Sequence, residues 1–307
     1  MKKLNLLIIL FLFGCSSKSN IKPIISYSFD GNRAYSYILE QCDLGPRSPG
    51  LEGHIKFENY LLDFFEKLNM EVKTQNFRYF NLLLNQEMNG KNYYVSLNPE
   101  ISNRILLGAH WDTRSFADEE TDVEKRKQPV VGANDGASGV AVLMEIANNL
   151  SNDLSVGVDL VFFDAEDVGI KGNSETFAEG SKYFSRNMPL KIKPEKAIIV
   201  DMVGDKRLNL PIERYSFQKN KKFVLELWDL AERLGLKSFS KMIKYEIYDD
   251  HIPLNDIAKI PAVDIIDFDY PNEFYNYWHT TEDTPDKCSP QSLAQVGVLL
   301  LNYIYEN

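Results

Sequence analysis

Cysteine and positive charge are both scarce in this chain of 307 residues. The three cysteines lie too far apart for a zinc site built from thiolates, because such sites draw on clustered cysteines. Lysine and arginine together number 34 against 44 aspartate and glutamate residues, so the formal net charge is −10. Without a basic stripe to reverse this balance, the chain is not expected to bind nucleic acid. The sequence also lacks internal repeats and low-complexity tracts.

A hydrophobic run long enough to span a bilayer is missing as well. The apolar stretch at residues 4–13 has about ten residues, whereas a membrane-spanning helix needs about 20. It follows two lysines, and residues 12–15, Leu-Phe-Gly-Cys, resemble the lipobox of bacterial lipoproteins, in which the cysteine carries the lipid. The sequence therefore predicts a targeting signal here rather than a membrane span.

These features divide the chain into a signal peptide (1–14), a tether (15–27) and one globular domain (28–307). The mature protein would be an exported bacterial lipoprotein, with its domain facing the periplasm and its N-terminal lipid as the membrane anchor. Cys42 and Cys288 then remain. An exported protein permits a disulfide, but two cysteines so far apart in sequence do not establish one.

Short apolar runs alternate with amphipathic segments after residue 100, which predicts a single α/β domain with a mostly parallel, twisted central sheet flanked by helices. The predicted strands are 71–79, 91–97, 104–109, 160–163, 196–203, 243–248 and 261–266. The predicted helices are 33–41, 51–69, 181–186, 219–235, 290–305 and one ending near residue 150. A hairpin turn is expected at Asn89-Gly90. His54 and the charged loop 116–130 are expected at the surface.

Acidic residues and histidines follow the predicted strands. Asp164, Glu166 and Asp167 end the run at 160–163, which is typical of a strand buried on both faces of a sheet. Three carboxylates so close together repel one another, and a divalent cation is the usual compensation. A solvated acidic loop is the alternative for such a cluster judged alone. Matching groups at other segment ends favour a site, and they are His110, Asp135, Asp201, Asp249, Asp264 and His279.

Nitrogen and carboxylate groups without thiolates suit a catalytic zinc ion. Simpler explanations stay open for single members of the set. His110 could be a structural histidine, and Asp135 could cap the helix that follows it, although one carboxylate can cap and bind metal together. Asp264 interrupts an apolar run, so it has to be paired or functional.

Six segments in order resemble the zinc aminopeptidase-like fold family that includes the glutaminyl cyclases. They are AHWDT, GANDGASG, DAED, DMVG, DDHIP and WHTTEDT, beginning at residues 109, 132, 164, 201, 249 and 278. Each motif alone is weak, but six in order form a strong signal. The resemblance runs from about residue 33 to the C-terminus, and it implies the same fold class for the domain.

The resemblance also implies the metal ligands. Asp135, Asp167 and His279 would hold a zinc ion. His110 and Asp201 match the positions that hold a second zinc in the aminopeptidases, whereas the cyclases carry similar residues and bind one zinc.

For catalysis, the resemblance makes Glu166 the general acid and base, with Asp249 and Asp264 sharing hydrogen bonds with it. Trp278 and Phe274 would line the substrate pocket. The acidic residue at 249 and the tryptophan directly before the metal-ligating histidine favour a cyclase. Two departures from the animal cyclases are the aspartate at 264, where those enzymes have histidine, and the lack of a tryptophan in the loop after Asp167.

The implied reaction is the zinc-assisted conversion of the N-terminal glutamine of peptides or exported proteins into pyroglutamate, with release of ammonia. The alternative is an exported two-zinc aminopeptidase that hydrolyses N-terminal residues. A third possibility, from another class, is a non-catalytic binding lipoprotein that keeps the fold.

Overall fold

The computed structural model describes residues 27–151 and 153–307. The predicted signal peptide, 1–14, and the predicted tether, 15–27, lie outside these ranges except for Tyr27, whose ring stacks on that of Tyr305 at a centroid distance of 4.0 Å. Among the described residues, none of the helices combines the length and the apolar character that a membrane crossing requires.

The helices and strands of the described ranges are named here in chain order. The helices are α1 (Gly31–Asp43), α2 (Glu52–Lys67), α3 (Ala137–Asn149), α4 (Glu179–Arg186), α5 (Arg214–Arg233), α6 (His251–Asp256) and α7 (Pro290–Glu306). The strands are β1 (Lys73–Asn81), β2 (Gln86–Leu97), β3 (Arg104–His110), β4 (Gly157–Phe163), β5 (Lys196–Asp201), β6 (Leu210–Glu213), β7 (Phe239–Lys244), β8 (Ala262–Ile266), β9 (Pro271–Asn272) and β10 (Tyr275–Asn276).

Six strands form the central sheet in the order β1-β2-β4-β3-β5-β8. Strands β3, β4, β5 and β8 are parallel, and β2 and β1 extend the sheet antiparallel at one edge. His110 at the end of β3 lies opposite Phe163 at the end of β4, and Asp201 at the end of β5 lies opposite Ile266 at the end of β8. The carboxyl ends of the parallel strands therefore meet at one edge, where α/β sheets place their ligands.

Both faces of the parallel strands are buried. Along β3, Ile105 and Leu107 join one apolar core and Leu106 joins the other. Helices α1, α2, α3 and α7 contribute to the first core, and α4 and α6 cover the opposite face. Apolar runs without alternation are what burial on two faces requires, so the predicted single α/β domain with a mostly parallel sheet is confirmed. Cys42 and Cys288 are free thiols.

The hairpin turn lies elsewhere than predicted. Asn89 and Gly90 are inside β2, and Gly90 lies opposite Phe77 of β1. The Phe77 ring covers this glycine so closely that a Cβ at position 90 would lie 2.2 Å from it. Residues 82–85 form the turn, with Asn85 at a φ of 53°. The prediction is wrong because this glycine admits a cross-strand aromatic ring rather than a turn.

The strand predicted at 243–248 is also misplaced. Strand β7 ends at Lys244, and residues 245–248 are irregular. Tyr245 adopts a φ of 28°, which an extended strand does not allow. The segment after β7 therefore leaves the two-stranded sheet that β7 forms with β6, and it reaches the mouth of the pocket described below.

His54 is buried rather than exposed. Its Nε2 lies 2.9 Å from the carboxylate of Asp164, and its ring packs 4.2 Å from that of Trp111. The surface prediction is wrong because the helical pattern around His54 cannot show that an acidic strand end packs against it.

Candidate metal centre and active site

The polar residues predicted at the strand ends meet at the carboxyl edge of the sheet. His110 and Asp201 are the last residues of β3 and β5, and Glu166 and Asp167 lie three and four residues after the end of β4. Asp135 lies just before α3, and His279 lies in the loop between β10 and α7. All of them are buried. The topology of the sheet therefore brings together groups from five separate segments.

Asp135, Asp167 and His279 form a group whose donor atoms lie within 4.8 Å of one another. The Nε2 of His279 is 2.9 Å from Asp167 Oδ1 and 3.7 Å from Asp135 Oδ2. Ligands of a tetrahedral zinc ion lie about 3.3 Å apart, given bonds of about 2 Å. Asp135 Oδ2 and Asp167 Oδ2 are buried without a hydrogen-bond partner among the described residues. Unpaired buried carboxylate oxygens at this spacing fit a metal ion.

His110 and Asp201 form a second group that shares Asp135 with the first. The Nε2 of His110 lies 3.1 Å from Asp201 Oδ1 and 3.2 Å from Asp135 Oδ1. His110, Asp135 and Asp201 could hold a second metal ion, and the same distances equally suit a direct hydrogen bond between His110 and Asp201. The distances therefore fit a site with one metal ion as well as a site with two.

Asp118 orients His279 from behind. Its Oδ1 lies 3.2 Å from Nδ1 of His279, and both of its oxygens accept hydrogen bonds from Arg114. Burial alone would raise the pKa of Asp118, but the hydrogen bonds from His279 and Arg114 hold it well below its usual range. A carboxylate on the second nitrogen of a metal-binding histidine fixes the ring and its tautomer. The sequence did not single out Asp118, because the residues around it are typical of an exposed charged loop.

We expect Asp118→Asn to weaken zinc binding about 10–100-fold, because His279 would lose the charged group that orients its ring. Titration of the zinc-free protein with zinc against a competing chelator measures the change. Asp122→Asn, in the same loop but exposed, is the matched control and should leave the affinity unchanged. Equal affinity in both variants would show that Asp118 does not act through His279.

Two buried carboxylates hold the backbone of the loops that carry the candidate metal ligands Asp135 and Asp167. Asp112 accepts the amide hydrogens of Glu166 at 3.0 Å and Asp167 at 3.1 Å. Asp283 accepts those of Asn134 at 2.8 Å and Asp135 at 3.1 Å. Each loop is therefore fixed by one carboxylate with both oxygens in use, and the ligand side chains start from anchored backbone. Asp112 belongs to the AHWDT motif, but the sequence does not show that it binds these amides.

Glu166 is buried and lines the pocket beside the metal-ligand group. Burial raises the pKa of Glu166 well above its usual value. The positive charge of His110 opposes this rise, and the charges of Asp249 and Asp167 add to it. A carboxyl group with a raised pKa exchanges a proton more readily near neutral pH than an ordinary glutamate does, so it can serve as an acid or a base.

Asp249 lines the pocket and forms a further buried group with Asp264 and His251. Burial and then the charge of Asp201 raise the pKa of Asp249 to about 6. Burial and then the charge of Asp249 raise that of Asp264 well above its usual value. His251 Nδ1 lies 3.7 Å from Asp264. A hydrogen bond between two carboxyl groups requires that one of them carries a proton. The hydrogen bonds of Asp249 and Asp264 with Glu166 therefore stay a prediction.

The pocket is a cavity of about 190 Å³, open to solvent, with the metal-ligand group and Glu166 in its lining. Trp278 forms part of its wall, stacked on the His279 ring at a centroid distance of 3.6 Å and packed against Phe268. Phe274 does not line this cavity, because its side chain is 94% exposed in the loop outside it. The structure therefore places Trp278 where the sequence predicts a pocket residue, and it places Phe274 elsewhere.

We expect the zinc-free protein to bind zinc more weakly as the pH falls. Burial lowers the pKa of His279, but the charges of Asp167 and Asp118 outweigh this effect and raise it to about 9. Below that pH a proton has to leave the ring before it can bind metal, so the apparent affinity should fall about tenfold per pH unit. Chelator competition between about pH 6 and about pH 8 measures the slope. An affinity independent of pH would contradict the prediction.

Comparisons with protein families, solved structures and curated proteins all point to the same group of enzymes. The model of peptidase family M28 matches residues 92–304. A solved glutaminyl cyclase of Bacteroides thetaiotaomicron is 35% identical, covering 92% of this chain and 100% of that one with a TM-score of 0.87. A Zn-dependent exopeptidase of Parabacteroides distasonis is 30% identical, with coverage of 92% and 100% and a TM-score of 0.87. The glutaminyl-peptide cyclotransferase of the snake Boiga irregularis is 22% identical over 70% of this chain, and the match spans 65% of the snake enzyme.

Proposed function

Since the chain belongs to peptidase family M28, we propose that it is a zinc-dependent glutaminyl-peptide cyclotransferase. It would convert the N-terminal glutamine of peptides or exported proteins into pyroglutamate and release ammonia. The observation that carries this proposal is the buried Glu166, whose raised pKa and place in the pocket beside the metal-ligand group suit proton transfer. Likeness to a glutaminyl cyclase over the full length of that structure supports it.

Each residue of the site would have a separate role in this reaction. Asp135, Asp167 and His279 would hold a zinc ion, which would polarise the oxygen of the γ-carboxamide. Glu166 accepts the proton that the α-amine loses as its nitrogen bonds to the carboxamide carbon. It then donates this proton to the nitrogen that leaves as ammonia. One C–N bond forms and another breaks, and no water is consumed.

The pocket wall supports an intramolecular reaction. Trp278 lies against the ring of His279, so a flat apolar surface adjoins the metal-ligand group. A glutamine side chain held on that surface would have its carboxamide close to the candidate metal ligands and its own amine as the nucleophile. Fixing both reacting groups in one small cavity favours ring closure over attack by water.

An aminopeptidase is the second candidate, and a specific observation favours it. His110, Asp135 and Asp201 offer donor atoms within 4.8 Å of one another, which fits a second metal ion. Likeness to a Zn-dependent exopeptidase agrees with this reading. Glu166 would then act as the base that activates water.

The mass of the product separates the two functions. A peptide that begins with Gln-Ala should lose about 17 Da as ammonia, with its peptide bonds intact, if the zinc-loaded protein is a cyclotransferase. Release of free glutamine would overturn the proposal in favour of the aminopeptidase. Zinc content measured on the same sample gives one ion per chain for the first function and two for the second.

A further inference from the structure

The segment at residues 245–248, directly after β7, forms part of the pocket mouth. Glu246, Ile247 and Tyr248 line the cavity together with Trp278. Glu246 is exposed, whereas the other carboxylates of the lining are buried. Its side chain is therefore the one acidic group in the described lining that faces solvent at the entrance.

The backbone around Glu246 is anchored on both sides. The carbonyl of Tyr245 accepts a hydrogen bond from the Arg214 amide at 2.8 Å, and its hydroxyl donates to Asp269. The amide of Ile247 donates to Glu213 Oε1 at 3.2 Å. An irregular segment held at each neighbour of Glu246 presents this carboxylate from a fixed position, and a fixed group selects ligands better than a mobile one.

The side chain of Glu246 has no partner among the described residues. Among residues 27–151 and 153–307, none donates a hydrogen bond to its side chain or forms an ion pair with it. The nearest lysine in sequence, Lys244, is bound to Asp269 at 2.6 Å. The described lining of the cavity contains neither lysine nor arginine. Glu246 therefore places an unpaired negative charge at the mouth, and this charge would attract a positive group.

We infer that Glu246 selects peptides in which lysine or arginine directly follows the N-terminal glutamine. The inference rests on the proposed function, because a glutamine side chain that enters the cavity leaves the rest of the peptide to pass out through the mouth. The second side chain then lies at the rim, within reach of the first solvent-facing carboxylate. An exposed ion pair of this kind favours the cationic peptide about two- to fivefold.

The test compares kcat/KM for peptides that begin Gln-Lys, Gln-Ala and Gln-Glu, using the zinc-loaded full-length protein at low ionic strength. The wild type should prefer Gln-Lys to Gln-Ala about two- to fivefold, mainly through KM. In Glu246→Gln the ratio should fall to about one, and in Glu246→Lys the preference should turn towards Gln-Glu. Added salt should reduce the wild-type ratio, since rim charges are screened.

Glu273→Gln is the matched control. Glu273 is also exposed, lies in the turn between β9 and β10 shortly before Trp278, and does not line the cavity. The inference is supported if Glu273→Gln keeps the wild-type ratio while Glu246→Gln loses it. It is overturned if Glu246→Gln keeps the wild-type ratio of kcat/KM for Gln-Lys and Gln-Ala. It is also overturned if both variants lose this ratio equally, because the loss of any surface negative charge would then explain it. A wild type that converts Gln-Ala without preferring Gln-Lys removes the inference and leaves the proposed function intact. Failure to convert any of the peptides removes both.

Discussion

Replacing Glu166 with glutamine is expected to lower kcat about 10²–10⁴-fold while the bound zinc stays in place. Glutamine has the size of glutamate but cannot take up the amine proton at neutral pH, so both proton transfers of the proposed reaction lose their carrier. The candidate metal ligands Asp135, Asp167 and His279 are unchanged in this variant. Ammonia release in steady state gives kcat, and elemental analysis of the dialysed protein gives the zinc content.

Glu273→Gln is the control for loss of one negative charge, and its kcat should match that of the wild type. Ammonia release at the wild-type rate by Glu166→Gln would exclude Glu166 as the proton carrier. Zinc loss together with activity loss would instead show that Glu166 holds the metal. Both candidate functions use Glu166, so this variant tests the residue, and the product mass tests the reaction.

Replacing Asp159 with alanine is expected to lower the free energy of unfolding by about 3–5 kcal/mol. Asp159 and Arg104 are both buried between β3 and β4, and they form two hydrogen bonds of 2.7 and 2.9 Å. Removing the carboxylate leaves a guanidinium without its counter-charge in the interior, which costs more than the lost contact itself. For a chain of this size the change corresponds to a fall in Tm of roughly 10 °C.

Thermal unfolding followed by circular dichroism measures the effect of Asp159→Ala. Glu100→Ala serves as the control, because Glu100 pairs with Lys191 through side chains that are 72% and 64% exposed. Exposed pairs contribute about 0–1 kcal/mol, so the control should melt close to the wild type. A fall in Tm of similar size in both variants would mean that burial of the Arg104–Asp159 pair does not increase its contribution to stability.

The site was predictable where polar residues end buried strands. Apolar runs such as residues 160–163 mark strands covered on both sides, and parallel strands end at a common edge. His110, Glu166 and Asp201 could therefore be placed in one region from local patterns. Their expected roles as metal ligands or proton carrier came from the order of the motifs. The spacing of residues along the chain does not show which side chains would bind the same metal ion.

The supporting residues were not predictable in the same way. Asp112 binds an amide 54 residues away, and Asp283 binds one 149 residues away. Asp118 reaches His279 from a loop whose charge pattern is that of solvated surface. Hydrogen bonds over such separations depend on strand order and loop paths, which local propensity and periodicity do not encode.

The sequence by itself determined the α/β class and the buried parallel strands, and it predicted the residues of the candidate metal centre, because these follow from local apolar runs and from motif order. Tertiary structure alone decided that His54 is buried against Asp164, that Phe274 lies outside the pocket and that Glu246 stands at its mouth. Each of these outcomes depends on contacts between segments far apart in the chain. Burial and exposure at such places are set by what packs against a residue, and the residue's own neighbours in sequence do not reveal it.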